Sequence, residues 1–300
     1  MRVALIHNED AGGGLAGAKI REAIEKAGHE LVRSIENGRS LENATDDGVD
    51  VVAVAGGDGT VRDAVGAVVG RGVPLAILPL GTANNIARSL GVEGKPRHLA
   101  RGWETARRVP LALGSARGPW GQRRFIEGVG AGLVPESIAA AKEHGKKRLA
   151  RGGGGAIRSA RRLYRRRLAG LAPAPLGVSA DGEALDGEYL LVEVLNIRSV
   201  GPNLRLAPDS DPSCEAFELV TAGEREREAL LALLDEKAAP EAAADLPRRR
   251  VRSVELAGWT AIHIDDELNS SPAGSSAPAV ASIVLEPERV EFLVPGGRGS

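Results

Sequence analysis

The stretch VVAVAGGDGTVRDAVGAVVG, residues 51–70, constrains the fold of this chain more than any other. Its opening run of Val and Ala is short, continuous and apolar, as expected of a strand buried on both faces. The run ends at Gly56-Gly57-Asp58-Gly59-Thr60 and passes straight into a segment with helical spacing. A buried strand followed by a helix implies a parallel sheet, because the helix crosses one face to begin the next strand.

The rest of the first third repeats that pattern. RVALIHN, ELVRSI and VPLAILPLG read as further strands, and LAGAKIREAIEKAG places Leu15, Ile20, Ala23, Ile24 and Ala27 near helical spacing before Gly28. Residues 1–110 are expected to form a Rossmann-like α/β domain, and 111–300 a second domain. Beyond residue 110 the texture changes to short strand candidates: PLALGSARG, RRFIEGVGAG, PLGVSADGEAL, GEYLLVEVLNI and FELVTAG. Their Gly, Pro, Asp and Ser punctuation points to a mainly antiparallel β domain. A basic segment through residues 142–170 and EREREALLALLDEKAA are helical, and LNSSPAGSSAPAV reads as a flexible hairpin loop.

The 300 residues suit two domains, and the single Cys214 leaves no intramolecular disulfide, which fits a reducing compartment. MRVALIHNED reads as a first strand, not a signal peptide. No apolar run approaches the ~20 residues of a membrane span. A cytoplasmic protein is the expectation.

The glycine loop raises a choice between a plain turn and a phosphate cradle. Gly56, Gly57 and Gly59 are free to take positive φ and to expose backbone N–H groups, and the following helix adds its positive end. Thr60 suits both a helix cap and a phosphate contact. Asp58 repels a phosphate unless a cation or proton intervenes, and Mg²⁺ with nucleotide phosphates resolves that conflict. A second polar loop, LPLGTANNIARSLG, follows the next strand and puts Gly81, Thr82, Asn84 and Asn85 on the same rim. Helix capping by Thr82 or Asn84 is the competing role. The first rim loop, HNEDAGGG, supplies Asn8.

AGGDGTVRDAV followed by LPLGTANNIARSLGV resembles the diacylglycerol kinase catalytic-domain family of bacterial lipid kinases and sphingosine kinases, distantly related to NAD kinases. FIEGVGAG, LVEVLNIRSVGPNLRLAPDS and AIHIDDEL follow in the family's order. The resemblance implies an α/β nucleotide domain and an antiparallel β-sandwich domain with the active site in a cleft. It implies ATP as donor, Mg²⁺, and a lipid hydroxyl of the diacylglycerol or sphingoid-base type as acceptor. Relatives return their final segment to the first domain, so residues 286–300 are open to either domain.

In the family pattern an Asp in a late DGE motif is the base and its Glu stands near the metal network; Asp265 and Glu267 match them, with Asp58 as a supporting acid. Read without the family, DDEL is equally an ordinary hairpin turn. Asp266 replaces the family's Gly, Glu127 stands where an Asn is common, and Cys214-Glu215 replaces a DG pair tied to a structural metal site. Asp209 or Asp211 is the substitute expected for that site. These departures leave open a catalytically weakened lipid- or nucleotide-binding regulator, and an NAD kinase-like enzyme acting on a soluble hydroxyl is the other alternative.

The basic segment concentrates Lys146, Lys147, Arg148, Arg151, Arg158, Arg161, Arg162, Arg165, Arg166 and Arg167. On a helix, Ile157, Ala160, Leu163, Tyr164 and Leu168 share a face flanked by arginines, a pattern that suits an anionic membrane surface or a solvated helix packed on the β domain. Nucleic acid is disfavoured, since Tyr164 alone in the run is available for base stacking. Oligomeric state is not encoded in any of these patterns.

Overall fold

The computed structural model describes residues 1–8, 17–46, 48–143, 154–185, 187–235, 246–272 and 278–296. The chain divides into two compact units, Met1–Leu111 with Glu288–Ser300, and Ala112–Pro287.

In the first unit, strands β1 (Arg2–His7), β2 (Glu30–Glu36), β3 (Val51–Gly56) and β4 (Leu75–Pro79) run parallel in the order β2-β1-β3-β4. Val3 to Ile6 and Val51 to Ala55 are fully buried, which is why these strands are continuously apolar. Helix α1 (Gly17–Glu25) links β1 to β2 and α2 (Asp58–Val68) links β3 to β4, while α3 (Asn85–Ser89) and α4 (Pro96–Arg101) follow β4. Ile20 and Ile24 anchor α1, and Gly28 at φ 94° follows its last turn. Leu15 and the glycines of HNEDAGGG lie outside the described residues.

The second unit contains β5 (Arg107–Gly118, entering from the first unit), β6 (Gly121–Phe125), β7 (Gly128–Gly132), α5 (Leu133–Glu143) and α6 (Gly154–Gly170). There follow β8 (Ala174–Ala180), β9 (Glu183–Ala184), β10 (Gly187–Tyr189), β11 (Leu191–Leu195), β12 (Phe217–Ala222) and α7 (Arg227–Leu233). The last strands are β13 (Arg248–Val251), β14 (Ser253–Ala257), β15 (Ala261–Ile264), β16 (Glu267–Ser270) and β17 (Val280–Val294). The end of β17 belongs to the first unit, where Phe292 pairs in parallel with Leu75 of β4.

An antiparallel sheet in the order β13-β12-β11-β7-β15-β16 packs one face on a second antiparallel set, β10-β8-β14 with the start of β17 and the β5–β6 hairpin. Phe125, Val192, Val194, Phe217, Leu256, Trp259, Ile262 and Ile283 fill the space between them, the core of a β-sandwich. The other face of the six-stranded sheet is covered by helices, through Leu133, Tyr164, Leu168, Leu191, Leu195 and Leu230.

Two local expectations need correction, and one strand lacks a sequence signal. RRFIEGVGAG is not one strand: it breaks at Ile126-Glu127, whose N–H groups leave the ladder for the Asp265 carboxylate. GEYLLVEVLNI breaks at Leu190 between β10 and β11. The charged RRRV forms β13, a strand its composition hides, because Arg248, Arg249 and Arg250 each meet a carboxylate, Asp209, Glu183 and Glu218.

Candidate active site

The turn from β3 into α2 begins the candidate site. The helix starts at Asp58 with Gly57 as its N-cap, and the first intrahelical bond runs from Val61 N to Gly57 O. The N–H groups of its first turn therefore have no intrahelical acceptors. None of Gly56, Gly57, Gly59 and Gly81 takes positive φ, so conformational freedom is not why they are glycines. Close approach is the reason. A Cβ on Gly56 would fall 2.4 Å from Thr60 Oγ1, and one on Gly81 would fall 2.4 Å from the Gly57 Cα. On Gly59 a Cβ would find Arg62 Nη2 at 3.8 Å as its nearest described neighbour, leaving the backbone approachable from that side.

The β4–α3 loop is laced onto this turn. Leu80 N and Gly81 N donate to Gly56 O at 2.9 and 3.2 Å. Asn84, left-handed at φ 51°, closes its own loop: its Oδ1 accepts from Gly81 N at 3.0 Å and its Nδ2 donates to Gly81 O at 2.9 Å. Asp58 Oδ1 accepts from Ile86 N at 3.0 Å, so this carboxylate caps α3. Burial pushes the Asp58 carboxyl above its ordinary range despite the backbone donors of Ile86, Asn85 and Asn84.

The remaining predicted residues of this unit fall as follows. Thr60 is buried as the third residue of α2 and does not cap it. Asn85 is buried at the start of α3, and Thr82 is exposed. Asn8, half-buried at the end of β1, donates its backbone N–H to Ala55 O at 3.1 Å. The two laced turns fit a phosphate group: first-turn N–H donors without intrahelical acceptors, an open flank at Gly59, and a close approach of Gly57 and Gly81 that leaves no room for a side chain on Gly81.

In the second unit, Asp265 is buried in the two-residue turn between β15 and β16. Its Oδ1 accepts from Glu127 N at 2.8 Å, Ile126 N at 3.2 Å and Gly128 N at 3.3 Å. Asp265 carries the turn's positive φ of 52°, and Asp266 is not among the positive-φ residues, so replacing Gly there costs no backbone strain. Asp181, at φ 49°, uses its carboxylate in the same way on Arg252 N and Ser253 N. Glu267 lies half exposed, 2.7 Å from Arg123 Nη1.

Asp209 lies 3.6 Å from Arg248, and Asp211 accepts from Ser213 N and Oγ at 3.0 and 2.7 Å. The Ser213 hydroxyl, then its N–H, holds the Asp211 carboxyl below its usual range. Among the described residues no three His, Cys, Asp or Glu side chains gather to hold a metal ion. Glu215 is paired with Arg252 at 2.7 Å.

The structure adds a group that sequence reasoning missed. His263 Nε2 lies 2.8 Å from Glu193 Oε2, with both side chains at 0% exposure, and His263 Nδ1 lies 2.8 Å from the Asp265 carbonyl oxygen. The visible signal was Glu193 in the apolar run LVEVL, since a buried charge demands a partner.

On α6, Leu163, Tyr164 and Leu168 are buried while Arg158, Arg162, Arg165 and Arg166 are exposed on the opposite side. Arg161 instead points inward and donates to Pro202, Asn203 and Asp235 carbonyl oxygens at 3.1, 2.7 and 2.9 Å. Lys146, Lys147, Arg148 and Arg151 lie outside the described residues. Among the described residues no helix is long and apolar enough to cross a membrane.

Residues 2–116 match the family model of the diacylglycerol kinase catalytic domain. A Pseudomonas aeruginosa protein named "Probable lipid kinase YegS-like" is 33% identical over 217 residues, 69% of this chain and 67% of that protein. A Mycobacterium tuberculosis diacylglycerol kinase is 29% identical over 251 residues, 77% of this chain and 76% of its own. The crystal structure of a diacylglycerol kinase from Bacillus anthracis superposes with a TM-score of 0.67 at 18% identity, covering 98% of this chain and 96% of that one; at that identity it speaks for the fold alone.

Proposed function

Since this chain belongs to the diacylglycerol kinase catalytic-domain family, and is thus a lipid kinase, we propose that it transfers the γ-phosphoryl group of ATP, with Mg²⁺, to the hydroxyl of a diacylglycerol or sphingoid-base lipid. The observation that carries the reading is the lacing of two glycine turns at Gly57 and Gly81. A plain strand-to-helix turn has no need of a second loop held against it.

In this reading Gly56, Gly57, Gly59 and Thr60 shape the phosphate cradle, and Gly81, Thr82, Asn84 and Asn85 form its second wall, with Asn8 at the adjoining strand end. Mg²⁺ with ATP supplies an activated phosphoryl group and offsets the charge on its oxygens. Asp58 keeps the second wall in place through Ile86. Asp265 accepts the lipid hydroxyl's proton as that oxygen bonds to phosphorus and ADP departs, and Glu267 is the supporting acid. Asp209 and Asp211, here partnered by Arg248 and Ser213, are the carboxylates this reading assigns to a structural metal site.

The same reading has a cytoplasmic enzyme meeting its substrate at an anionic bilayer, with the exposed arginines of α6 supporting the contact at roughly 1 kcal/mol per basic residue. The test is incubation with γ-labelled ATP, Mg²⁺ and anionic vesicles carrying candidate lipid alcohols. Lipid-extractable label that disappears in Asp265→Ala supports the proposal, and a folded protein that labels no lipid alcohol overturns it.

A further inference from the structure

Glu193, Gly130 and His263 stand side by side on β11, β7 and β15, in register across three antiparallel strands. Neighbouring strands lie about 4.8 Å apart, so the outer two backbones are roughly 9.6 Å from one another. Glu193 and His263 nevertheless meet at 2.8 Å, because both reach across the middle strand. Gly130 makes that possible: a Cβ there would lie 2.3 Å from the Glu193 carboxyl carbon.

The imidazole has acceptors on both sides. Nδ1 faces the Asp265 carbonyl oxygen, which cannot donate, and Nε2 faces both oxygens of the Glu193 carboxylate at 3.0 and 2.8 Å. Of the other titratable groups, the Asp265 carboxylate on the adjoining turn acts on His263, and Tyr164 from α6 lies within electrostatic reach of Glu193 and of Glu127 on the β6–β7 turn. Glu193 and Glu127, after burial itself, push the Tyr164 phenol upward, which keeps it neutral. Burial works against a charged His263, and Glu193 together with the Asp265 carbonyl and carboxylate more than offsets it, so the imidazole is held above its ordinary range.

The Asp265 carbonyl bonded by His263 belongs to a residue held at φ 52°. A left-handed non-glycine residue persists only where its surroundings over-determine it. Asp265 N to Gly128 O at 2.8 Å, the carboxylate on residues 126–128, and His263 on the carbonyl do so from three directions.

We propose that Glu193 and His263, seated over Gly130, form a buried positioning pair that sets the conformation of the Asp265 turn for phosphoryl transfer, with the imidazole protonated on both nitrogens. The inference rests on Asp265 as the acceptor of the substrate proton. The pair itself touches no substrate and acts through the turn.

The experiment combines imidazole ¹⁵N spectroscopy of the unaltered protein with kinetics of variants. Both His263 nitrogens are expected to carry protons at about pH 7.5, above the ordinary imidazole value of about 6.5. Glu193→Gln, whose amide still meets Nε2, is expected to keep kcat within about threefold, while Glu193→Ala and Gly130→Ala lose about tenfold or more with KM for ATP little changed. Gly130→Ala removes neither titrating group, so its effect reports geometry. An imidazole carrying one proton in the unaltered protein overturns the proposal, and so does equal kcat in Glu193→Gln and Glu193→Ala. Asp265→Asn separates the two readings: if it turns over normally, the role of Asp265 falls and the positioning role with it. If it is inactive while Glu193→Ala and Gly130→Ala keep full kcat, the positioning role alone falls. Should Gly130→Ala fail to fold, the spectrum and the Glu193 variants decide.

Discussion

Gly81→Ala separates a phosphate cradle from a plain turn. The added Cβ would sit 2.4 Å from the Gly57 Cα and 2.8 Å from Asn84 Oδ1. Carbon atoms in contact rest at about 3.5–4.0 Å, so the loops must part by about 1.1–1.6 Å. A displacement of that size breaks the bonds from Leu80 N and Gly81 N to Gly56 O, now 2.9 and 3.2 Å long. At about 1 kcal/mol per hydrogen bond, the loss of two comes to about 2 kcal/mol, within the range of about 1–3 kcal/mol for overpacking generally. The catalytic consequence is larger in proportion, because a misplacement of about 1 Å costs on the order of 100-fold in rate. Urea unfolding gives the first quantity; calorimetric ATP binding and steady-state turnover with lipid vesicles give the second. A variant that loses about 2 kcal/mol of stability yet binds and uses ATP as the unaltered protein does would refute the cradle.

Gly59→Ala is the matching control. Its Cβ has room and it lies in α2 without positive φ, so stability should rise by about 0.5–1 kcal/mol in thermal or urea unfolding, and weaker ATP binding would then report the ligand, not packing. Stability should also depend on pH through His263. Its raised value means the stabilisation is complete below the unfolded imidazole's range near 6.5 and is lost as pH climbs through the folded value. Urea midpoints should therefore fall from mildly acidic to alkaline pH, and His263→Asn should flatten that slope. Replacing exposed Arg158, Arg162 and Arg166 with Ala should leave thermal unfolding nearly unchanged and weaken binding to anionic vesicles by roughly 1 kcal/mol, about fivefold, per residue at low salt.

The parallel sheet was legible because β1, β3 and β4 are buried, and burial writes itself as runs of Val, Leu, Ile and Ala; β2, at the edge of this parallel set, is only half-buried and reads less cleanly. The two glycine loops were legible for a related reason: close approach of backbones excludes side chains. The sequence could not show which kind of closeness was involved. Positive φ was the expectation, and the structure instead brings Gly57 against Gly81 and Gly56 against Thr60. Asp58 reads in sequence as an acid beside a phosphate, yet its carboxylate is turned to the Ile86 N–H, a partner 28 residues away. Long-range pairing also hid β13, whose arginines look solvated until Glu183, Glu218 and Asp209 are placed opposite them. Glu193 and His263 are 70 residues apart, and only the register across Gly130 joins them. On α6 the apolar face of Leu163, Tyr164 and Leu168 was readable from spacing alone, whereas the inward turn of Arg161 was not, because its acceptors are distant carbonyl groups.

The central claim is transfer of phosphate from ATP to a lipid hydroxyl, and the most direct measurement follows the label itself. With γ-labelled ATP, Mg²⁺ and vesicles containing diacylglycerol or a sphingoid base, the account predicts label in the organic phase in step with ADP release, abolished in Asp265→Ala. Label confined to the aqueous phase, or an equal yield from Asp265→Ala, would contradict it.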